Sequence, residues 1–329
     1  MFKQFLIPQL MIFCRFPVFL KVTVTASILL NILVNPSFAG DPFRNREPHK
    51  IGDRTEAAFN AIFQQGNYPT AKDALQKAMS SEPNEPLIYA IQASLAYQNQ
   101  DLVGLEKYSR KTLETGQNLI ASNPLRGNLY TAAGHFLEGA VILSREGTVN
   151  GAASAFSRLR KVYTYLDRAE RISANDPELN LIRGYMDLML AVNLPFASPD
   201  DVINRLEKKA APGYLVDRGI ALAYRDLKKY SQALDYVNRT LKTTADNPEI
   251  YYLKAQILHE KGKNEKSQNL IKEAIAHFDK ALAKKSQLPA NLVKQIEYER
   301  NQAVSSQLSV VNYPLPITYY KNGNSIPRV

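Results

Sequence analysis

The sequence predicts an all-α fold: a solenoid of about six helical hairpins, with irregular long helices in the middle. Three observations carry this. From Arg54 to about Ser306, alanine and leucine recur at three- and four-residue spacing, the period of an amphipathic helix. One small vocabulary is written several times. Gln65-Gly66-Asn67-Tyr68 leads to Ala71, Leu75, Ala78 and Pro83, while Lys229-Tyr230 leads to Ala233, Val237, Leu241 and Asn247-Pro248-Glu249. Tyr251, Ala255, Leu258 and Gly262 begin another unit. Finally, prolines fall between the helical stretches and not inside them, where a missing N–H and a ring clash would break the helix.

Residues 1–39 read as an export signal. Lys3, Arg15 and Lys21 precede the uncharged run Val22–Val34, Asn35-Pro36 breaks it, and Ser37-Phe38-Ala39 offers small residues at a cleavage site. The alternative, a retained anchor, would have to span a membrane with 13 residues where about 20 are needed. Residues 40–53 carry Pro42, Pro48 and mixed charges with no apolar period, and read as a linker.

The solenoid is expected over 54–307, as helices 54–65, 69–80, 86–99, 102–121, 125–145, 151–173, 177–192, 199–208, 214–227, 231–243, 248–261, 265–284 and 289–307. Pro69, Pro86, Pro177, Pro199, Pro248 and Pro289 lie at helix starts, where the first-turn N–H has no intrahelical partner to lose. Asn175, Asp176 and Asn247 are expected N-caps, and Gly66 and Gly262 sit where one helix ends and its partner turns back. Residues 308–329, with Pro314, Pro316 and Pro327, cannot continue the stack and read as an extended strap or a disordered end.

On these residues the chain resembles the tetratricopeptide repeat (TPR) superfamily. That family sets a large, a small and an aromatic residue on the first helix of each unit, alanines flanking a large apolar residue on the second, and a proline between units. The resemblance is carried by Ile62, Gly66, Tyr68, Ala71, Leu75, Ala78 and Pro83; by Tyr89, Ala93 and Leu113; by Ile220, Ala221, Tyr224, Tyr230, Ala233, Val237 and Leu241; and by Tyr251, Ala255, Leu258, Gly262, Ser267, Ile271 and Ala274. Gly134 with Leu137 and Gly184 with Leu188 match more weakly. The inter-unit prolines Pro83, Pro124, Pro177 and Pro248 are 41, 53 and 71 residues apart, so the array departs from the family's 34-residue spacing. The export signal and the divergent units are similar to those of secreted bacterial members, cyanobacterial ones included.

The resemblance implies a TPR-like α-solenoid whose first helices line a concave groove that takes an extended peptide or a helix. It places Tyr252, Gln256, His259 and Glu260 on that groove, with Arg218, Leu222, Arg225 and Asp226 one unit earlier and Glu56, Asn60, Phe63 and Gln64 in the first unit. Arg218 and Arg225 would suit carboxylates or an acidic segment.

Composition excludes several other classes. The single cysteine, Cys14, precedes residue 39, so an exported chain cut there has no disulfide, thiol nucleophile or thiolate metal site. His259-Glu260 begins like a zinc-protease helix, but Lys263 stands where the second histidine belongs. No nucleophile elbow, phosphate loop or basic-aromatic nucleic-acid motif is present. The expectation is a non-enzymatic protein with no cofactor and no metal, binding a protein or peptide in the periplasm or outside the cell, in envelope or secretion assembly. Charge supplies an alternative. Residues 40–211 hold 20 Lys and Arg against 20 Asp and Glu, whereas 212–329 hold 18 against 11, so the basic C-terminal part could meet a membrane or another anionic envelope component. An enzyme assembled by the long middle helices would instead show a polar pocket around Tyr130, His135, Glu138, Tyr163 and Arg168.

Overall fold

A computed structural model describes residues 40–44, 46–193 and 199–311. Among them are thirteen α-helices and no strand: α1 Asp53–Phe59, α2 Tyr68–Ser81, α3 Pro86–Gln98, α4 Leu102–Leu119, α5 Pro124–Asn150, α6 Ala152–Ile172, α7 Pro177–Asn193, α8 Pro199–Lys209, α9 Gly213–Asp226, α10 Tyr230–Thr243, α11 Pro248–Asn264, α12 Gln268–Ala283 and α13 Ala290–Val311. A π-helical turn, Asn60–Gln64, extends α1. Successive helices pack against each other as hairpins along the chain, the arrangement of a TPR-like α-solenoid.

Helix starts follow from caps. Asn67, Asp101, Asn123, Asn247 and Ser267 each accept a backbone N–H from the first turn that follows, and Glu85 does the same for α3. Asp176 accepts from Leu179 N–H at 2.7 Å. The long α5 is two helices merged across a kink at Gly147, whose φ of 79° and ψ of 166° leave the helical region. The expected end of that helix, Arg145, lies at this kink. The last helix runs four residues past its expected end, to Val311. Residues 1–39, expected as an export signal, and 312–329, most of the expected tail, lie outside the described residues.

The segment expected as a linker is non-helical and packed. Asp41, Phe43 and Ile51 are buried. The Asp41 carboxylate accepts from the backbone N–H of Phe43 and His49, Arg44 forms ion pairs with both Asp41 and Asp176, and the Phe43 ring meets Phe59 edge-on at 5.0 Å. This stretch therefore ties α1 to the start of α7.

The array also curls back on itself. Apolar side chains of α1, α2 and α3 share one buried cluster with those of α7, α8 and α9, Ile62 and Leu75 with Leu206 and Ile220 among them. At its far end Tyr68 joins the cluster of α11, α12 and α13, and its hydroxyl donates to Glu249 at 2.8 Å. The Asn247 amide reaches the carbonyls of Phe63 and Gln64 at 3.3 and 3.4 Å. Gly66 makes the approach possible. It holds φ at 65°, and a Cβ there would run into the Asn247 side chain and Pro248.

Candidate functional site

Stacking α9 on α11, with α13 laid beside them, leaves a cavity of about 990 Å³. The turn from α3 to α4 closes its other side with Tyr97, Gln98, Gln100, Asp101 and Leu102. Arg218, Leu222, Arg225, Tyr252, Gln256 and His259 all line this cavity, as do Asp226 and Glu260. The first-unit positions do not. Glu56 accepts the backbone N–H of Gly40 at 3.0 Å, Asn60 belongs to the π-helical turn, and Phe63 packs on Phe59 at 4.7 Å. Gln64 is exposed, with its carbonyl bound to Asn247. Closure of the array explains this: the first hairpin is used as packing against the second half of the chain.

The two arginines differ from the expectation of free carboxylate receptors. Arg218 is only 3% exposed and donates to Glu249 at 2.7 Å, the same carboxylate that Tyr68 reaches. Burial pushes the Glu249 carboxyl up from its ordinary range, against the pull of Arg218. Arg225 donates to its neighbour Asp226 at 2.9 Å and to Gln256 at 2.8 Å.

A polar ladder continues from there. Gln256 donates to Glu299 at 2.8 Å, and Tyr252 and Gln295 each donate to the same carboxylate at 2.7 Å. The ladder joins α9, α11 and α13 along the cavity and fixes Glu299 in place. Burial lowers the His259 pKa from its ordinary value, favouring the neutral ring, and its Nε2 lies 3.4 Å from Ser306 Oγ. Burial raises Tyr230, with Glu260 adding to the effect.

The sequence reading missed the α13 wall and the α3–α4 turn. Leu292, Gln295, Glu299 and Gln302 of α13 face the cavity. Their spacing of three, four and three places them on one helix face, and that signal was available in the sequence. The turn is not recoverable this way, because it reaches the groove from more than a hundred residues away.

The constellation set out for an enzyme is not gathered into one pocket. Tyr130 donates to Glu178, Tyr163 donates to Asp187, His135 pairs with Glu138, and Arg168 stacks over Tyr165 at 4.7 Å. Between α5 and α6 lie Leu129, Val162 and Leu166, all fully buried. Among the described residues no group of three or more His, Cys, Asp and Glu could hold a metal ion, and no described helix is long and apolar enough to cross a membrane.

No curated protein and no solved structure matches the chain. Residues 218–289, from α9 to just short of α13, match the profile of the tetratricopeptide repeat. The match covers the two hairpins that carry Arg218, Arg225, Tyr252 and His259, and it supports the TPR superfamily, whose members are generally non-catalytic scaffolds that bind protein partners.

Proposed function

We propose that this chain is an exported, non-enzymatic scaffold that holds a segment of a protein partner in the groove between α9, α11 and α13. The observation that supports it is the 990 Å³ cavity, which is lined by residues of the first helices of two successive repeat hairpins and by α13. The repeat match and the family's general role point the same way. Envelope or secretion assembly is the setting, from the export signal at residues 1–39.

Two experiments test this reading. The full chain is immobilised and exposed to envelope extract beside a Tyr298→Ala/Gln302→Ala variant, both residues being exposed on the groove side of α13. A discrete protein retained by the chain and lost by the variant is the expected result. Equal retention by both, or retention only of anionic polymer released by salt, contradicts it and moves binding to the basic 212–329 region. For export, the mass of the chain recovered outside the cytoplasm is expected to correspond to a start at Gly40. Recovery of the uncut chain in the membrane fraction overturns the signal.

A further inference from the structure

The cavity differs in charge from the chain that forms it. With the Arg218–Glu249 and Arg225–Asp226 pairs set aside, three carboxylates line it, Asp101, Glu299 and Glu260, the last paired with Lys263 outside the cavity, against one cation, Lys228. The whole chain carries a net charge of +10. Glu299 is the centre of this local excess. Its three donors, Tyr252, Gln256 and Gln295, are all neutral, and none of the ion pairs among the described residues includes it. A carboxylate held by neutral donors can still form a charge-assisted hydrogen bond with a cation that arrives from outside. Tyr298, 63% exposed at the same wall, offers a ring face to such a cation.

Gln98 is an independent observation. It lies on the opposite wall, is 4% exposed, and neither its amide nitrogen nor its amide oxygen has a hydrogen-bond partner. Leaving a buried donor or acceptor unsatisfied destabilises the free chain. A main-chain peptide group, with one N–H and one C=O, supplies the donor and the acceptor that this amide lacks.

We propose that the groove takes an extended peptide segment bearing Lys or Arg side chains, with its cation at Glu299 and a main-chain amide at Gln98. This rests on the groove reading above and reverses the partner charge that Arg218 and Arg225 suggest from sequence.

The test uses the full chain and three fluorescein-labelled dodecapeptides: three repeats of Gly-Ser-Tyr-Arg, and the same peptide with Gln or Glu in place of each Arg. Affinity is read by fluorescence anisotropy at low and moderate salt. The Arg peptide is expected to bind best, and Glu299→Gln to weaken it by roughly tenfold. Because Glu299 also ties α11 to α13, Glu260→Gln, outside that ladder, is the second variant, with an expected loss of about threefold. Gln98→Leu removes the unpaired amide while keeping its approximate volume. It is expected to raise the melting temperature of the free chain and to weaken the Arg peptide several-fold.

Tighter binding of the Glu peptide, or Arg-peptide affinity unchanged in both carboxylate variants, overturns the proposal. Equal binding of the Gln and Arg peptides, lost in the Tyr298→Ala/Gln302→Ala variant, overturns the cationic reading while the groove reading stands. Binding of none of the three peptides overturns both.

Discussion

Arg126 and Arg218 play the same part at two places in the chain. Each is buried on the first helix of a hairpin and meets a glutamate that directly follows a proline at the start of a later helix: Glu178 after Pro177 and Glu249 after Pro248. Arg126 also forks onto Glu85 at 2.8 and 2.9 Å, while Tyr130 donates to Glu178. Burial works to lower the Arg126 pKa, but the carboxylates of Glu178 and Glu85 outweigh it and hold the guanidinium well above its ordinary value. Arg126→Met is therefore expected to cost about 3–5 kcal/mol in a urea titration, because it leaves two buried carboxylates without their cation. A loss below about 1 kcal/mol would contradict the assignment. The Asp176-Pro177-Glu178 and Asn247-Pro248-Glu249 boundaries were legible in the sequence. The arginines were not, since they stand 52 and 31 residues from their partners and neither spacing is a repeat length.

His277 gives a pH signature at the same scale. Burial first, and then Lys254 and Lys280, lower its pKa to about 4, so at neutral pH the ring beside Glu273 is uncharged and stacks on Tyr251 at 5.9 Å. The unfolded chain binds this proton near pH 6.5 and the folded chain near 4. Between those values the unfolded state holds more protons, so this group's contribution to stability rises from pH 4 to pH 6.5 and is lost on acidification through that window. His277→Phe is expected to flatten that segment of the stability curve measured by urea titration. An unchanged slope would show that other groups carry it.

At the scale of elements, close approach of backbones sets the long middle hairpins. A Cβ on Gly134 would lie 2.6 Å from Leu113 Cα, and one on Gly116 would lie 2.7 Å from Thr131 N, so α4 and α5 touch backbone to backbone at both points. Gly134→Ala is expected to cost about 1–3 kcal/mol by overpacking. Gly139→Ala, whose nearest neighbour would be Arg158 Cβ at 3.7 Å, is expected to be neutral or to stabilise by up to about 1 kcal/mol through helix propensity. Thermal melts of the two variants separate packing from propensity, and equal effects would contradict the close-contact account. Element identity was the most legible level of this chain. Apolar periodicity and the prolines that bound it gave all thirteen helices, with ends displaced by a few residues. Legibility fell where the backbone departs from a regular helix, at the Asn60–Gln64 turn, or where a segment without apolar period still packs, as Asp41–Ile51 does.

For the whole molecule, a solenoid whose units meet only their neighbours gives no reason for Tyr68 to reach Glu249, 181 residues away. The contact arises because the curled array brings its first hairpin against α11, and Gly66 and Asn247 shape the meeting point. It removes Glu56, Asn60 and Phe63 from the groove, engages Arg218 internally and leaves α9, α11 and α13 to form the open site. Tyr68→Phe is expected to cost about 1–3 kcal/mol, because buried Glu249 loses a donor and keeps only Arg218. A urea titration measures it, and a neutral outcome would mean that the closure is not needed for stability. Half of the groove was legible from the repeat pattern. The other half, from α13 and the α3–α4 turn, depends on this closure and on where α13 is laid.

The measurement that bears most directly on the groove as the binding site is hydrogen–deuterium exchange of the full chain, alone and with the protein it retains from extract. Added protection is expected in α11, in α13 and around residues 97–102, with little change in α6 and α8. Protection confined to α6, α8 or the outward face of α12, with α11 and α13 unaffected, would contradict the account.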